Sequence, residues 1–167
     1  MDFQEILRIL KSLEAEAVEY AIFGAVALNL HGIIRATEDL DLFVKPTVDN
    51  LERLLRALRA VYDDPHIDDI DIEELMGEYP AVRYYPPESE DHQIYLDILT
   101  RLGEFAKFDR LEIEEIEIEN VKVRVVSPRT LYWLKNDTIR DKDHADAALI
   151  KEKFDLKDDD IRDWELM

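Results

Sequence analysis

The side chains with chemical potential fall into two groups at opposite ends of a 167-residue chain. The first lies in Phe23–Val44, FGAVALNLHGIIRATEDLDLFV. Its last six residues, Asp39-Leu40-Asp41-Leu42-Phe43-Val44, alternate polar and apolar at the start, which predicts a strand with Leu40, Leu42 and Val44 on one face and both aspartates on the other. Two carboxylates side by side at a strand end repel unless a cation sits between them, and hard divalent ions such as Mg2+ take oxygen ligands. The pair therefore reads as half of a metal site. Upstream, Gly24 separates the apolar run Tyr20–Phe23 from a stretch with helical spacing. A glycine there lets backbone approach a ligand closely, and the helix N-terminus beyond it presents unpaired N–H groups to an anion. A phosphate site beside a paired-carboxylate metal site is what transfer from a nucleoside triphosphate needs.

The second group is Lys135, Arg140, Lys142, Asp143 and Asp146, gathered within twelve residues of an otherwise acidic chain. Taken singly, each is an ordinary charge on a helical surface. Two residues between the groups carry their own expectations. Arg35 lies in the connector to Asp39, where its guanidinium could reach a phosphate bidentately. Thr37 could hold that connector by a side-chain bond to backbone. His31, at a helix end before Gly32, reads as structural.

These motifs resemble the signature of the DNA polymerase beta-like nucleotidyltransferase superfamily, a glycine at a strand–helix turn followed by an Asp-x-Asp strand. More narrowly, Gly24-Ala25-x-Ala27, His31-Gly32, Arg35-x-Thr37 and Asp39-x-Asp41 are similar to those of the small prokaryotic AbiEii-type members. The superfamily usually has Gly-Ser or Gly-Gly where this chain has Gly24-Ala25, which removes a hydroxyl contact to phosphate and keeps the backbone donor. The segment from Ser127-Pro128 through Lys135 to Arg140-Asp141-Lys142-Asp143-His144-Ala145-Asp146 resembles the family's C-terminal motifs, a helical lysine followed by an R-x-K-D-x-x-D block against the metal site.

The resemblance implies an α/β (α+β) fold, a mixed sheet with packed helices and a helical C-terminal part. It also gives Asp97 a role. As a lone charge in the run Ile94–Leu99 it reads as a strand-end aspartate facing water, but it matches the superfamily's third metal carboxylate. Asp39, Asp41 and Asp97 would then hold Mg2+ or Mn2+, with a nucleoside triphosphate as substrate. Lys135 would contact the triphosphate, helped by Arg140 or Lys142, while Asp143 would position Lys142 or act near the acceptor. Left unpaired until substrate arrives, Lys135 should matter little to folding. The implied reaction moves a nucleoside monophosphate to an acceptor hydroxyl and releases pyrophosphate. The acceptor stays open between an RNA 3′ end, a protein and a small molecule such as an aminoglycoside. A non-enzymatic nucleotide-binding, antitoxin or partner-binding protein on the same fold is the alternative. Three retained carboxylates argue against it.

The elements that must position these residues follow from periodicity and caps. Residues 2–17 predict an amphipathic helix rather than a signal peptide. Short elements follow: strand 20–23, helix 25–30 ended by His31-Gly32, and strand 40–44. Thr47 then caps a helix that buries Leu51, Leu54, Leu55 and Leu58. The acidic run 62–78 reads as a solvated loop and short helix and lacks the spacing of an EF-hand. Strands are expected at 81–85 and 93–99 around a turn at 88–91, and as a pair within 111–126 around Glu119-Asn120. Ser127-Pro128 starts a helix over 129–136, a second covers 143–153, and Asp155 caps a last one with Ile161 and Trp164. Residues 1–126 form the core, and 127–167 complete the same domain.

Composition sets the outer limits. The absence of cysteine rules out disulfides and thiolate metal sites, and no apolar run is long enough to cross a bilayer. A soluble cytoplasmic protein is expected. A net charge of −19 disfavours broad binding to duplex nucleic acid and is compatible with a basic protein partner.

Overall fold

Alternating strands and amphipathic helices assemble into a layered α/β structure in a computed structural model that describes residues 3–87, 95–103 and 106–157. In chain order, helix α1 (Phe3–Ala15) leads to strand β1 (Tyr20–Phe23), helix α2 (Gly24–Leu30), strand β2 (Asp39–Val44) and helix α3 (Val48–Val61). A 3-10 turn (Pro65–Asp69) and helix α4 (Ile72–Met76) occupy the acidic run, capped by the Asp64 and Asp71 carboxylates. Strands β3 (Ala81–Tyr84) and β4 (Tyr95–Leu99) follow, then the two-residue pair β5 (Arg101–Leu102) and β6 (Ala106–Lys107). Strands β7 (Ile113–Ile118) and β8 (Val121–Val126) turn at Glu119 and Asn120, both at positive φ. That geometry belongs to the tight turns whose twist suits a hairpin. Helix α5 (Pro128–Asn136) and helix α6 (Asp141–Lys153) complete the described chain.

Local chemistry accounts for most of these boundaries. The Thr47 hydroxyl accepts from the Asn50 N–H, and Ser127 accepts from the Thr130 N–H, so both expected N-caps form. The turn at 88–91, the first residues of the strand expected from 93, and the last helix with Ile161 and Trp164 fall outside the described residues. The β5–β6 pair and a 3-10 turn at Phe108–Arg110 were not legible, since two- and three-residue elements have no periodicity to read.

Six strands form one mixed sheet in the order β3-β4-β2-β1-β8-β7. β1 runs antiparallel to β2, and each has a parallel neighbour on its other side, β8 and β4 respectively. Leu40, Leu42, Leu96 and Ile98 are fully buried, whereas Asp39, Asp41 and Asp97 between them keep partial exposure, so alternation separates core from cleft residue by residue. Register decides where the chemistry falls. Phe23 lies opposite Asp41, and Asp41 opposite Asp97. A one-residue slip would send the aspartates into the core.

The far end of the β1–β2 pair is held by one side chain. Asn50, on α3 and almost fully buried, accepts from the Glu19 N–H at 2.7 Å and donates to the Glu19 carbonyl at 2.9 Å and the Lys45 carbonyl at 3.0 Å. Glu19 precedes β1 and Lys45 follows β2, so the amide ties the two strand ends whose register sets the site. Replacing it strands buried backbone groups without partners. Asn50→Ala should therefore lower stability by about 1–3 kcal/mol, read as a reduced urea midpoint at unchanged slope.

Candidate active site

The register places Gly24, Asp41 and Asp97 side by side, and Asp39 follows from the strand's period of two. Ligand atoms of Asp39, Asp41 and Asp97 all lie within 4.8 Å of one another. Each carboxylate has a different holder. The Thr37 hydroxyl donates to the Asp39 carboxylate, Asp41 hydrogen-bonds to the Ala25 N–H, and Asp97 is gripped by Arg83. Thr37 thus bonds a side chain as well as the Asp39 carbonyl, the backbone contact expected of it. The Ala25 N–H, expected to meet a phosphate, faces Asp41 instead.

Gly24 sits at φ +68, a left-handed conformation, and a Cβ built there would lie 1.9 Å from Asp41 Oδ2. Only glycine lets the strand–helix turn pass this carboxylate without displacing it. The close approach attributed to a ligand is an approach to the site's own aspartate.

Electrostatics follow from that crowding. Burial, then the neighbouring charges of Asp39 and Asp97, push Asp41 up to about 7, against the opposing pull of Lys135 and the Ala25 N–H. The cluster is all oxygen, closely spaced and strained by its own charge, which is the donor set a hard divalent ion takes. A cleft of about 640 Å³ opens over it. Gly24, Ala25 and Thr37 line one side, and Lys135, Arg140, Lys142 and Asp143 line the other. The two sequence clusters, nearly a hundred residues apart, therefore meet.

Their meeting point is Asp146, a residue to which sequence reading gives no role. It is 1% exposed, and its oxygens bind Arg35 Nε at 2.6 Å and Lys135 Nζ at 2.9 Å. Arg35 is thereby committed to a carboxylate, and its backbone is clasped by Asn29 through a donor and an acceptor. It does not line the cleft. Lys135 also binds Asp143 at 2.9 Å, so the expectation of an unpaired ammonium with little effect on folding is corrected. Burial would raise Asp143, but Lys135 and the Thr138 hydroxyl hold it below the usual carboxylate range. Asp143 is thus bonded to Lys135, and no bond from it to Lys142 is found among the described residues. The spacing of Asp143 and Asp146, three residues apart on α6, was the available signal that both point to one partner.

Comparison with known proteins gives the family. The family model described as "Nucleotidyl transferase AbiEii toxin, Type IV TA system" matches residues 6–164. The chain belongs to the AbiEii family. It is thus a nucleotidyltransferase by family, and type IV toxin–antitoxin systems are the setting of that description. Among curated proteins, none matches this AbiEii chain significantly.

Solved structures share the fold. The antibiotic-resistance factor ANT(2″)-Ia, in a solution structure, aligns with a TM-score of 0.56 at 14% identity, covering 96% of this chain and 87% of that one. A crystal structure of ANT(2″)-Ia in complex with adenylyl-2″-tobramycin gives 0.54 at 15%, covering 98% and 95%. An antigenic nucleotidyltransferase-like protein from Paracoccidioides brasiliensis gives 0.54 at 16%, covering 89% and 75%. At these identities the likeness concerns the fold alone, which confirms the polymerase beta-like mixed sheet with packed helices.

Two outcomes test the crowding at Asp41. A raised carboxyl pKa means the folded protein holds this proton more tightly than the unfolded chain does. Its contribution to stability is therefore complete below about pH 4 and fades as pH rises through 7. In EDTA, Asp41→Asn should flatten that decline and melt above wild type at pH 8, with the difference closing towards pH 4 in thermal scans. Gly24→Ala should do the opposite. It should lower the melting temperature at every pH and cancel any stabilisation by Mg2+, since the added methyl displaces Asp41.

Proposed function

We propose that this AbiEii protein transfers a nucleoside monophosphate from an NTP to an acceptor hydroxyl, using a divalent metal, and releases pyrophosphate. The observation that carries the proposal is the convergence of Asp39, Asp41 and Asp97 in a cleft whose facing wall supplies Lys135, Arg140 and Lys142. Asp39 and Asp41 make no ion pair among the described residues, so their charge is left for a divalent cation to offset.

Asp39 and Asp41 would hold Mg2+ or Mn2+, with Asp97 as the third carboxylate. Bound there, the ion supplies Lewis-acid charge to the phosphate oxygens. Arg140 and Lys142, exposed on the cleft wall, bind the phosphate tail. Lys135, steadied by Asp143 and Asp146, sets the field at the reacting phosphate. Asp97 takes the proton of the acceptor hydroxyl. The acceptor oxygen bonds to the α-phosphorus as the bond to pyrophosphate breaks, with the departing charge received by Arg140 and Lys142. The acidic surface suits a cationic acceptor such as a basic protein or an amine-bearing small molecule.

Incubation with each labelled NTP, Mg2+ and cell lysate tests the reading, and one class of molecule should acquire label. Asp39→Asn should lower that labelling by about a hundredfold or more, because an electrostatic element of the transition state is lost. Lys142→Ala, at an exposed position, should raise the NTP KM by roughly tenfold and leave the melting temperature in place. Lys135→Ala should lower both activity and stability, since buried Asp146 loses a partner. Labelling that persists in Asp39→Asn would exclude this cleft as its source.

A further inference from the structure

Of the three clustered carboxylates, only Asp97 is bonded to a cation among the described residues. Arg83, its direct cross-strand neighbour on β3, donates Nε–H to Oδ1 at 2.6 Å and Nη2–H to Oδ2 at 2.5 Å. Both oxygens are engaged by one planar fork. Asp39 and Asp41 are held by a hydroxyl and a backbone N–H, which orient a carboxylate without neutralising it. The difference matters to a metal. A carboxylate already paired with guanidinium offers an incoming cation less charge, and its best-directed lone pairs are occupied.

Arg83 also bonds the Tyr85 side chain, and it is 48% exposed against 18% for Asp97, so an opened fork leaves the guanidinium with Tyr85 and water. It stands on the edge strand β3, with β4 and β2 between it and β1, and it lies outside the cleft lining that contains Lys135, Arg140 and Lys142. Asp97 is thus a cleft carboxylate whose bonded cation comes from outside the lining.

We propose that Arg83 is a positioning residue that competes with the divalent ion for Asp97. It reserves this carboxylate for the acceptor side while Asp39 and Asp41 take the metal. The inference rests on the reading of the cleft as a metal-dependent transfer site and adds a residue that no sequence motif marks. In the free protein Asp39 and Asp41 would be the strong ligands, and Asp97, the third carboxylate of the cluster, would be a weak one. The fork holds the Asp97 carboxylate in one plane, with the remaining lone pair of each oxygen open to an acceptor O–H. Loss of the fork releases Asp97 to the ion, so metal binding tightens as catalysis weakens.

Mn2+ binding to the free protein, followed by the electron paramagnetic resonance of unbound Mn2+, tests this without an acceptor. Asp39→Asn should weaken binding by roughly tenfold or more, and Asp97→Asn by less than about threefold. Arg83→Gln, similar in length but uncharged, should tighten binding by roughly three- to tenfold, and the gain should vanish in the Arg83→Gln/Asp97→Asn double variant. Arg83→Lys, which keeps the charge and loses the fork, should fall between Arg83→Gln and wild type. The proposal is overturned if Asp97→Asn weakens Mn2+ binding as much as Asp39→Asn, if Arg83→Gln fails to tighten it, or if wild type binds no Mn2+ at millimolar concentration. Labelled-NTP transfer by wild type is scored separately. A protein that transfers nothing would sink the catalytic reading, while the Mn2+ cycle would still judge Arg83.

Discussion

Three carboxylates are held abreast against their own repulsion, and much of the structure serves to keep them there. Burial and like charge drive Asp41 towards the protonated state, so the arrangement is costly in the absence of a cation. What resists is the apolar half of the same strands. Leu40, Leu42, Leu96 and Ile98 are fully buried, and turning an aspartate away would require a register slip that exposes them. Each buried aliphatic side chain contributes about 1.5–3 kcal/mol, enough in sum to hold a strained polar face in place. The core and the site are two sides of the same strands.

Asp146 plays the matching part on the opposite wall. A carboxylate so deeply buried is tolerated because Arg35 and Lys135 both reach it. Through those contacts it joins the connector before Asp39 to the helices that carry Lys135 and Asp143. Movement of α6 would therefore be felt at Asp39 through Arg35 and Thr37. Neither cation is spare. Arg140 and Lys142 line the same cleft at exposed positions, whereas Lys135 is held in place by two carboxylates.

Much of the fold could be read from the chain. Caps at Thr47 and Ser127, the turn at Glu119-Asn120 and the alternation in Asp39–Val44 gave elements close to those observed. The three aspartates and Lys135 were legible as a set, and they do share one cleft. Less legible was what each polar group is bonded to. Gly24 proved to make room for Asp41, the Ala25 N–H to serve that same carboxylate, and Arg35 to pair with Asp146. In each case a contact expected for a ligand is made within the protein.

The division has a physical cause. The chain by itself determined helix starts, turn positions and which face of each strand is apolar, because caps, glycines and periodicity act over a few residues. It also carried the acidic composition and the lack of thiols, which direct any metal towards oxygen ligands. Only the tertiary structure decided which charges meet. The fork between Arg83 and Asp97 depends on the antiparallel register of β3 and β4, and the bridge from Arg35 to Lys135 spans a hundred residues of chain. An ion pair is specified by distance and angle in space, and those are set when the sheet and helices pack.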